Sequence, residues 1–144
     1  MKLSTRTRYG IRAILDLAAN HGKAPLQTKV IAQRQAISVK YLEQLMTMLK
    51  SGGFVTSVRG ARGGYLLAKP PDQIKISDLF RALEGPVITV ECVENQNYCA
   101  RVADCIARQL WAQIQQAIQT VLDSTSLQDL LDRAQDNETV NYQI

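Results

Sequence analysis

ISVKYLEQLMTMLKSGGFVTSVRGARGGYLLAKP, residues 37–70, decides the fold. Within it Leu42, Leu45, Met46 and Leu49 recur at i, i+3, i+4 and i+7, the apolar stripe of a helix that faces a core. Lys40, Glu43, Gln44 and Thr47 repeat that spacing on another face, so the helix also presents a polar, exposed side. Ser38 is placed to cap its start, and Gly52 and Gly53 end it after about Lys50. Phe54, Val55 and Val58 then lead into RGARGG and Tyr65, Leu66 and Leu67 lead out, which reads as strand, glycine-rich turn, strand. Arg59 and Arg62 sit on that turn, where glycine lets the backbone approach a narrow polyanionic groove. Pro70 and Pro71 close the unit.

Upstream, a short helix is expected over about residues 28–35, joined by a tight connection at Ala36 and Ile37. The result is a helix–turn–helix followed by a β-hairpin. A first helix, residues 4–20, carries Ile11, Ile14, Leu15 and Ala18 as one stripe, with Ser4 or Thr5 as cap and Gly22 just beyond its end. Arg6, Arg8 and Arg12 lie near its N-terminal half. The helix dipole gains nothing from cations there, which calls for an anion outside the chain.

The charge distribution agrees. Residues 1–69 hold 12 Lys/Arg against 2 Asp/Glu, a net of +10, whereas residues 70–144 hold 5 against 11, a net of −6. The overall +4 hides this asymmetry. A basic half carrying a winged helix–turn–helix points to duplex DNA. In that reading the second helix enters the major groove. Lys40, Glu43 and Gln44 meet base edges there, with Ser38 and Tyr41 near phosphate. Arg59 and Arg62 meet the minor groove or backbone, and Arg6 and Arg8 contact phosphate. The expected division is a winged unit over 1–75 and a second segment over 76–144. The fold class is mainly α with a small β-wing.

In the second segment ISDLFRALE, residues 76–84, reads as a short helix with Ser77 as a possible cap, and GPVITVE as extended chain. A long helix begins near Cys105. Leu110, Ile114, Ala117, Ile118 and Val121 form its stripe, widened by Trp111 and Leu122. That stripe needs a partner surface, and a second subunit is the natural one. A further short helix is expected at 126–134, and the tail NETVNYQI is polar and ambiguous.

All three cysteines fall in CVENQNYCARVADC, residues 92–105. No stretch is apolar enough to span a membrane, and the N-terminus lacks the apolar run of a secretory signal, so a cytoplasmic setting is expected. Clustered thiols there bind metal or sense redox state more often than they form structural disulfides. An iron–sulfur cluster, a zinc ion and a reversible disulfide are all open readings. Glu91, Glu94 and Asp104 are possible oxygen donors. His21, the only histidine, stands at the end of the first helix, a poor place for a ligand. No phosphate loop and no nucleophile–base pair is present, so an enzyme is not expected.

MKLSTRTRYGIRAILDLA, the 37–70 stretch and CVENQNYCARVADCIARQLW together resemble the winged-helix transcriptional regulators of the IscR, NsrR, RirA and CymR type over nearly the whole chain. The resemblance implies a homodimer on a pseudo-palindromic operator and a dimerisation helix over about 105–123. It also implies that Cys92, Cys99 and Cys105 hold an iron–sulfur cluster, [2Fe–2S] or [4Fe–4S]. Two ligand positions known in such proteins depart here: a histidine is replaced by Arg108, and an aspartate of the first helix by Arg8. The C-terminal part is closer to CymR, which implies an alternative: a clusterless regulator of sulfur or cysteine metabolism, controlled by a protein partner or by thiol oxidation.

Overall fold

The computed structural model describes residues 2–142, with side chains to residue 138. Seven helices run in chain order: α1 (Thr5–Ala19), α2 (Thr28–Gln35), α3 (Val39–Ser51), α4 (Ile76–Leu83), α5 (Glu91–Glu94), α6 (Ile106–Asp123) and α7 (Leu127–Tyr142). Between α3 and α4 lie two antiparallel strands, β1 (Val55–Val58) and β2 (Gly64–Leu67), paired from Val55↔Leu67 to Val58↔Gly64. A bridge between Leu26 and Tyr65 adds a third short arm to this wing.

The periodic stripes become the core. Leu42, Leu45, Met46 and Leu49 of α3 are all buried, and Leu42, Met46 and Leu49 share one core cluster with Ala13, Ile14, Leu17 and Ala18 of α1. On α1 the buried face is rotated slightly from the expected stripe, so that Ile11 and Leu15 are only partly covered. The same core continues through Ile74, Ile76, Leu79 and Leu83 and reaches Leu127. It therefore runs past residue 75 without a break, and α4 packs on both α1 and α3.

Three local expectations change. Ser77 is not the cap of α4. Lys75 holds the N-cap position, and Ser77 lies inside the helix, 8% exposed. The start is set from a distance: Ile76 N–H donates to the Thr125 carbonyl at 2.8 Å, and Leu127 N–H to the Ile74 carbonyl at 2.9 Å. GPVITVE stays non-helical as far as Val90, and only its last residue, Glu91, opens the one-turn helix Glu91–Glu94. The last helix is longer than 126–134: it takes in most of the tail, and only residues 143–144 of it lie outside the described residues. The cap of α7 is reciprocal. Ser126 Oγ accepts from Asp129 N–H at 3.1 Å, and Asp129 Oδ2 accepts from Ser126 N–H at 2.8 Å. Those bonds hold the Asp129 carboxyl below its ordinary value.

The third change concerns the arginines at the start of α1. One anion within the chain stands at the head of this helix, bonded to Ser4 and Thr7 and near enough to feel the charge of Arg6, while Arg8 and Arg12 gain no acidic partner from it. Glu84, at the end of α4, accepts from Ser4 N–H at 3.2 Å, from Ser4 Oγ at 2.6 Å and from the Thr7 hydroxyl. Arg6 Nε donates to the Leu83 carbonyl at 2.7 Å, so this side chain ties α1 to the end of α4. The Ser4 and Thr7 hydroxyls, ahead of the nearby Arg6 charge, hold the Glu84 carboxyl below its ordinary value of 4.5. A lowered acid stabilises the fold fully above its unfolded value and loses that contribution as pH falls through its folded one. Glu84→Gln therefore lowers the thermal midpoint most at neutral pH, and the gap from wild type closes as pH falls below the ordinary 4.5 and through the lowered carboxyl value. Melts from pH 7 to pH 3 measure this; a gap that stays constant would refute it.

Candidate nucleic-acid interface and thiol segment

The winged unit presents its polar residues to solvent. Ser38 caps α3 by accepting from Tyr41 N–H at 3.0 Å. No acidic residue lies in the first turn of α3, so the positive end of its dipole faces outward uncompensated, a ready site for phosphate. Lys40, Glu43, Gln44 and Thr47 are exposed along one face. Tyr41 is half-buried. Its ring meets that of Tyr9 edge-on at 6.2 Å, and the Arg12 guanidinium lies 5.2 Å from the Tyr9 ring centre. This cation–aromatic ladder fixes the first turn of α3 against α1. No periodicity in the sequence announces it.

The wing is tied to both helices of the motif. Lys50 Nζ donates to Ser57 Oγ at 2.7 Å, joining the end of α3 to β1. Tyr65 and Leu26 exchange backbone bonds of 2.8 and 3.1 Å. Burial, and then the charge of Glu43, push the Tyr65 hydroxyl above its ordinary value, so the wing tyrosine feels a carboxylate of α3. Arg59 and Arg62 are exposed on the turn. Arg8 is exposed with only a 3.5 Å contact to Thr5 Oγ1, while Arg6 is engaged by Leu83 as above.

The thiol segment joins two struts. Cys92 lies in α5, Cys105 is the N-cap residue of α6, and Cys99 is exposed on the turns between them. Arg108, one turn into α6, donates from Nε to the Cys92 carbonyl at 2.7 Å and from Nη2 to the Val93 carbonyl at 3.4 Å. Seven residues on, Gln115 accepts from Thr89 N–H at 3.1 Å and donates to Glu94. These two residues of α6, with the Trp111 carbonyl accepting from the Thr89 hydroxyl at 3.3 Å, strap residues 89–94 down. Three thiols suit an iron–sulfur cluster by donor chemistry. Among the described residues, however, no three Cys, His, Asp or Glu side chains stand together as a metal-binding group. His21 is exposed, away from this segment.

The apolar stripe of α6 divides into two faces. Ile118 and Leu122 are partly covered by the chain, and α6 packs on α4 through that side. Ile106, Leu110, Ile114 and Val121 point away and are 79, 50, 41 and 64% exposed. Among the described residues no helix is long and apolar enough to cross a membrane.

Comparison with known proteins agrees with this architecture. The model of the Rrf2 family, described as an iron-dependent transcriptional regulator, matches residues 3–133. The chain is 45% identical over 130 residues to the HTH-type transcriptional regulator CymR of Bacillus subtilis, covering 90% of this chain and 89% of that protein. A solved structure of CymR, described as the global cysteine regulator of B. subtilis, superposes with a TM-score of 0.80 at 42% identity, covering 92% of this chain and 98% of the other. The solved IscR of T. potens gives a TM-score of 0.76 at 40% identity, covering 93% and 88%.

Proposed function

This chain belongs to the Rrf2 family of transcriptional regulators, and from that premise we propose that it is a cytoplasmic homodimer whose grip on a pseudo-palindromic operator follows the state of the 92–105 thiol segment. Regulation of transcription through DNA is the family's activity. The control and the assembly are our reading. Dimerisation is supported by the outward apolar face of α6. Control by the thiols is supported above all by one observation: Arg108 of α6 holds the Cys92 turn, while α6 packs on α4 and α4 on the DNA-binding helices. A change at the cysteines thus has a packed route to the winged unit.

In the first reading Cys92, Cys99 and Cys105 hold an iron–sulfur cluster, with an outside molecule or an oxygen donor such as Glu91, Glu94 or Asp104 in the fourth place. Such a cluster would supply iron that reacts with oxygen or nitric oxide and that fails to assemble when iron is scarce. The chain's own part is mechanical. Arg108 and Gln115 fix one end of the segment, Cys105 starts the dimer helix, and the turns between them reorder. Lys40, Glu43 and Gln44, with Arg59 and Arg62, then meet the duplex at an altered spacing. A second reading, control by thiol oxidation or a protein partner without a cluster, is favoured by Arg108 itself. That side chain orders the Cys92 turn through its own hydrogen bonds to the Cys92 and Val93 carbonyls.

Anaerobic reconstitution with ferrous iron and sulfide, followed by absorbance, iron assay and operator titration, separates the two. The cluster reading expects a coloured wild type, a colourless Cys92→Ala/Cys99→Ala/Cys105→Ala variant, and operator affinities for apo and reconstituted protein that differ by about tenfold. A colourless wild type whose affinity answers only to oxidant or to a protein partner would support the second.

A further inference from the structure

Large apolar side chains exposed within residues 2–75 are few: Leu3, Val39 and Val58. Two of them sit on the elements aimed at DNA, and Val39 occupies the more telling place. It is the first residue of α3, directly after the Ser38 cap, and 42% of it is exposed. The packing at this corner is done by its neighbours. Leu42 is buried, and Ile37 packs partly covered against the core. Nor does the helix ask for valine, since a β-branched residue is a weak helix former. Val39 also stands four residues before Glu43, so the two side chains lie one above the other on the same flank of the helix.

We propose that Val39 reads thymine, packing its methyl groups against a thymine 5-methyl in the major groove beside the base pair that Glu43 addresses. This deepens the DNA-recognition reading and rests on it. The chemistry is complementary. Lys40 and Gln44 offer hydrogen bonds to purine edges, and Glu43 accepts from cytosine N4, but none of them senses a methyl group. Only an apolar side chain at the groove-facing end of α3 does so, and the N-terminal residues of a recognition helix are the ones that reach base edges. The predicted half-site therefore carries a thymine next to the cytosine step.

The test uses full-length protein and duplexes that it selects from a random pool. Each thymine of the selected half-site is replaced singly by deoxyuridine, which removes only the methyl group. Wild type is expected to lose about fourfold in affinity at one thymine per half-site. Val39→Ala should bind the unmodified duplex more weakly by a similar factor and be indifferent to deoxyuridine at that position. Val39→Thr, which keeps one methyl, should fall between. Thermal melts of both variants control for folding. Selective binding that ignores every deoxyuridine replacement, or a Val39→Ala variant still sensitive at the same base, would overturn the role of Val39 alone. A pool that yields no enriched sequence would overturn the DNA-recognition reading together with it.

Discussion

Gly64→Val should lower the thermal midpoint by roughly 10 °C and abolish tight operator binding. Gly64 has φ +151°, a backbone conformation that L side chains rarely adopt. A Cβ there would lie 2.1 Å from the Leu26 carbonyl oxygen and 2.9 Å from the Gln27 nitrogen, both rigid backbone atoms. That same oxygen accepts the 2.8 Å bond from Tyr65 N–H that pins the wing to the start of α2. The variant must therefore strain the backbone, at about 1–3 kcal/mol, and part the Leu26–Tyr65 bridge. Against a total stability of about 5–15 kcal/mol this is a large fraction. The wing would swing away from the start of α2 and carry Arg59 and Arg62 with it. Gly53→Asn is the matched control: Gly53 is also left-handed, at φ +80°, but nothing lies within 4 Å of the position its Cβ would take. Asparagine tolerates that conformation, so the cost there is below about 1 kcal/mol. Equal losses at the two positions, read by calorimetry, would contradict the close-approach argument.

If α6 pairs two copies as proposed, Ile114→Glu combined with Val121→Glu should convert that dimer to a monomer and weaken operator binding by about 100-fold or more. Both side chains point out of the chain, 41 and 64% exposed, so removing their apolar surface takes nothing from the core. In a dimer the same change buries two pairs of unpartnered carboxylates, which the interface cannot tolerate. The loss of affinity follows from linkage. Once one winged unit is bound, its twin searches at an effective concentration far above its free one, and a monomer forfeits that gain of 10²–10⁴-fold, as an order of magnitude. Light scattering reads the mass and polarisation reads the affinity, with the thermal midpoint expected to fall only by what the lost interface contributed. A double variant that remains dimeric would show that α6 is not the seam.

The winged unit was legible because its determinants are local. Leu42, Leu45, Met46 and Leu49 are neighbours on one helical face whatever surrounds them, and all four are buried. Ser38 reaches the Tyr41 N–H only three residues away. The turn at 59–64 carries its own glycines. The thiol segment was legible as composition but not as geometry, since the spacing of Cys92, Cys99 and Cys105 leaves the path of the turns between them open. The faces of α6 were also only half visible. A stripe of Leu110, Ile114, Ala117, Ile118 and Val121 widened by Trp111 and Leu122 cannot tell which edge packs inward, because both edges are apolar.

What escaped the sequence shares a physical cause. The start of α4 at Ile76 is fixed by the Thr125 carbonyl, which overrides the local preference of Ser77 for a cap. The anion at the head of α1 is Glu84, bonded to Ser4 across a separation of 80 residues, and Arg6 is drawn to Leu83 across 77. Arg108 could be seen not to be a ligand, but its bonds to the Cys92 and Val93 carbonyls could not. By itself the sequence determined the helix–turn–helix, the wing, the basic half and the grouping of the thiols. These depend on side chains within a turn or two of each other, where chain geometry leaves few choices. The tertiary structure alone decided which arginines are spent inside the chain and which face outward, where α7 returns, and which side of α6 is left bare. Those outcomes depend on contacts between residues far apart in sequence, where a donor's partner is whichever carbonyl the packed core brings within reach.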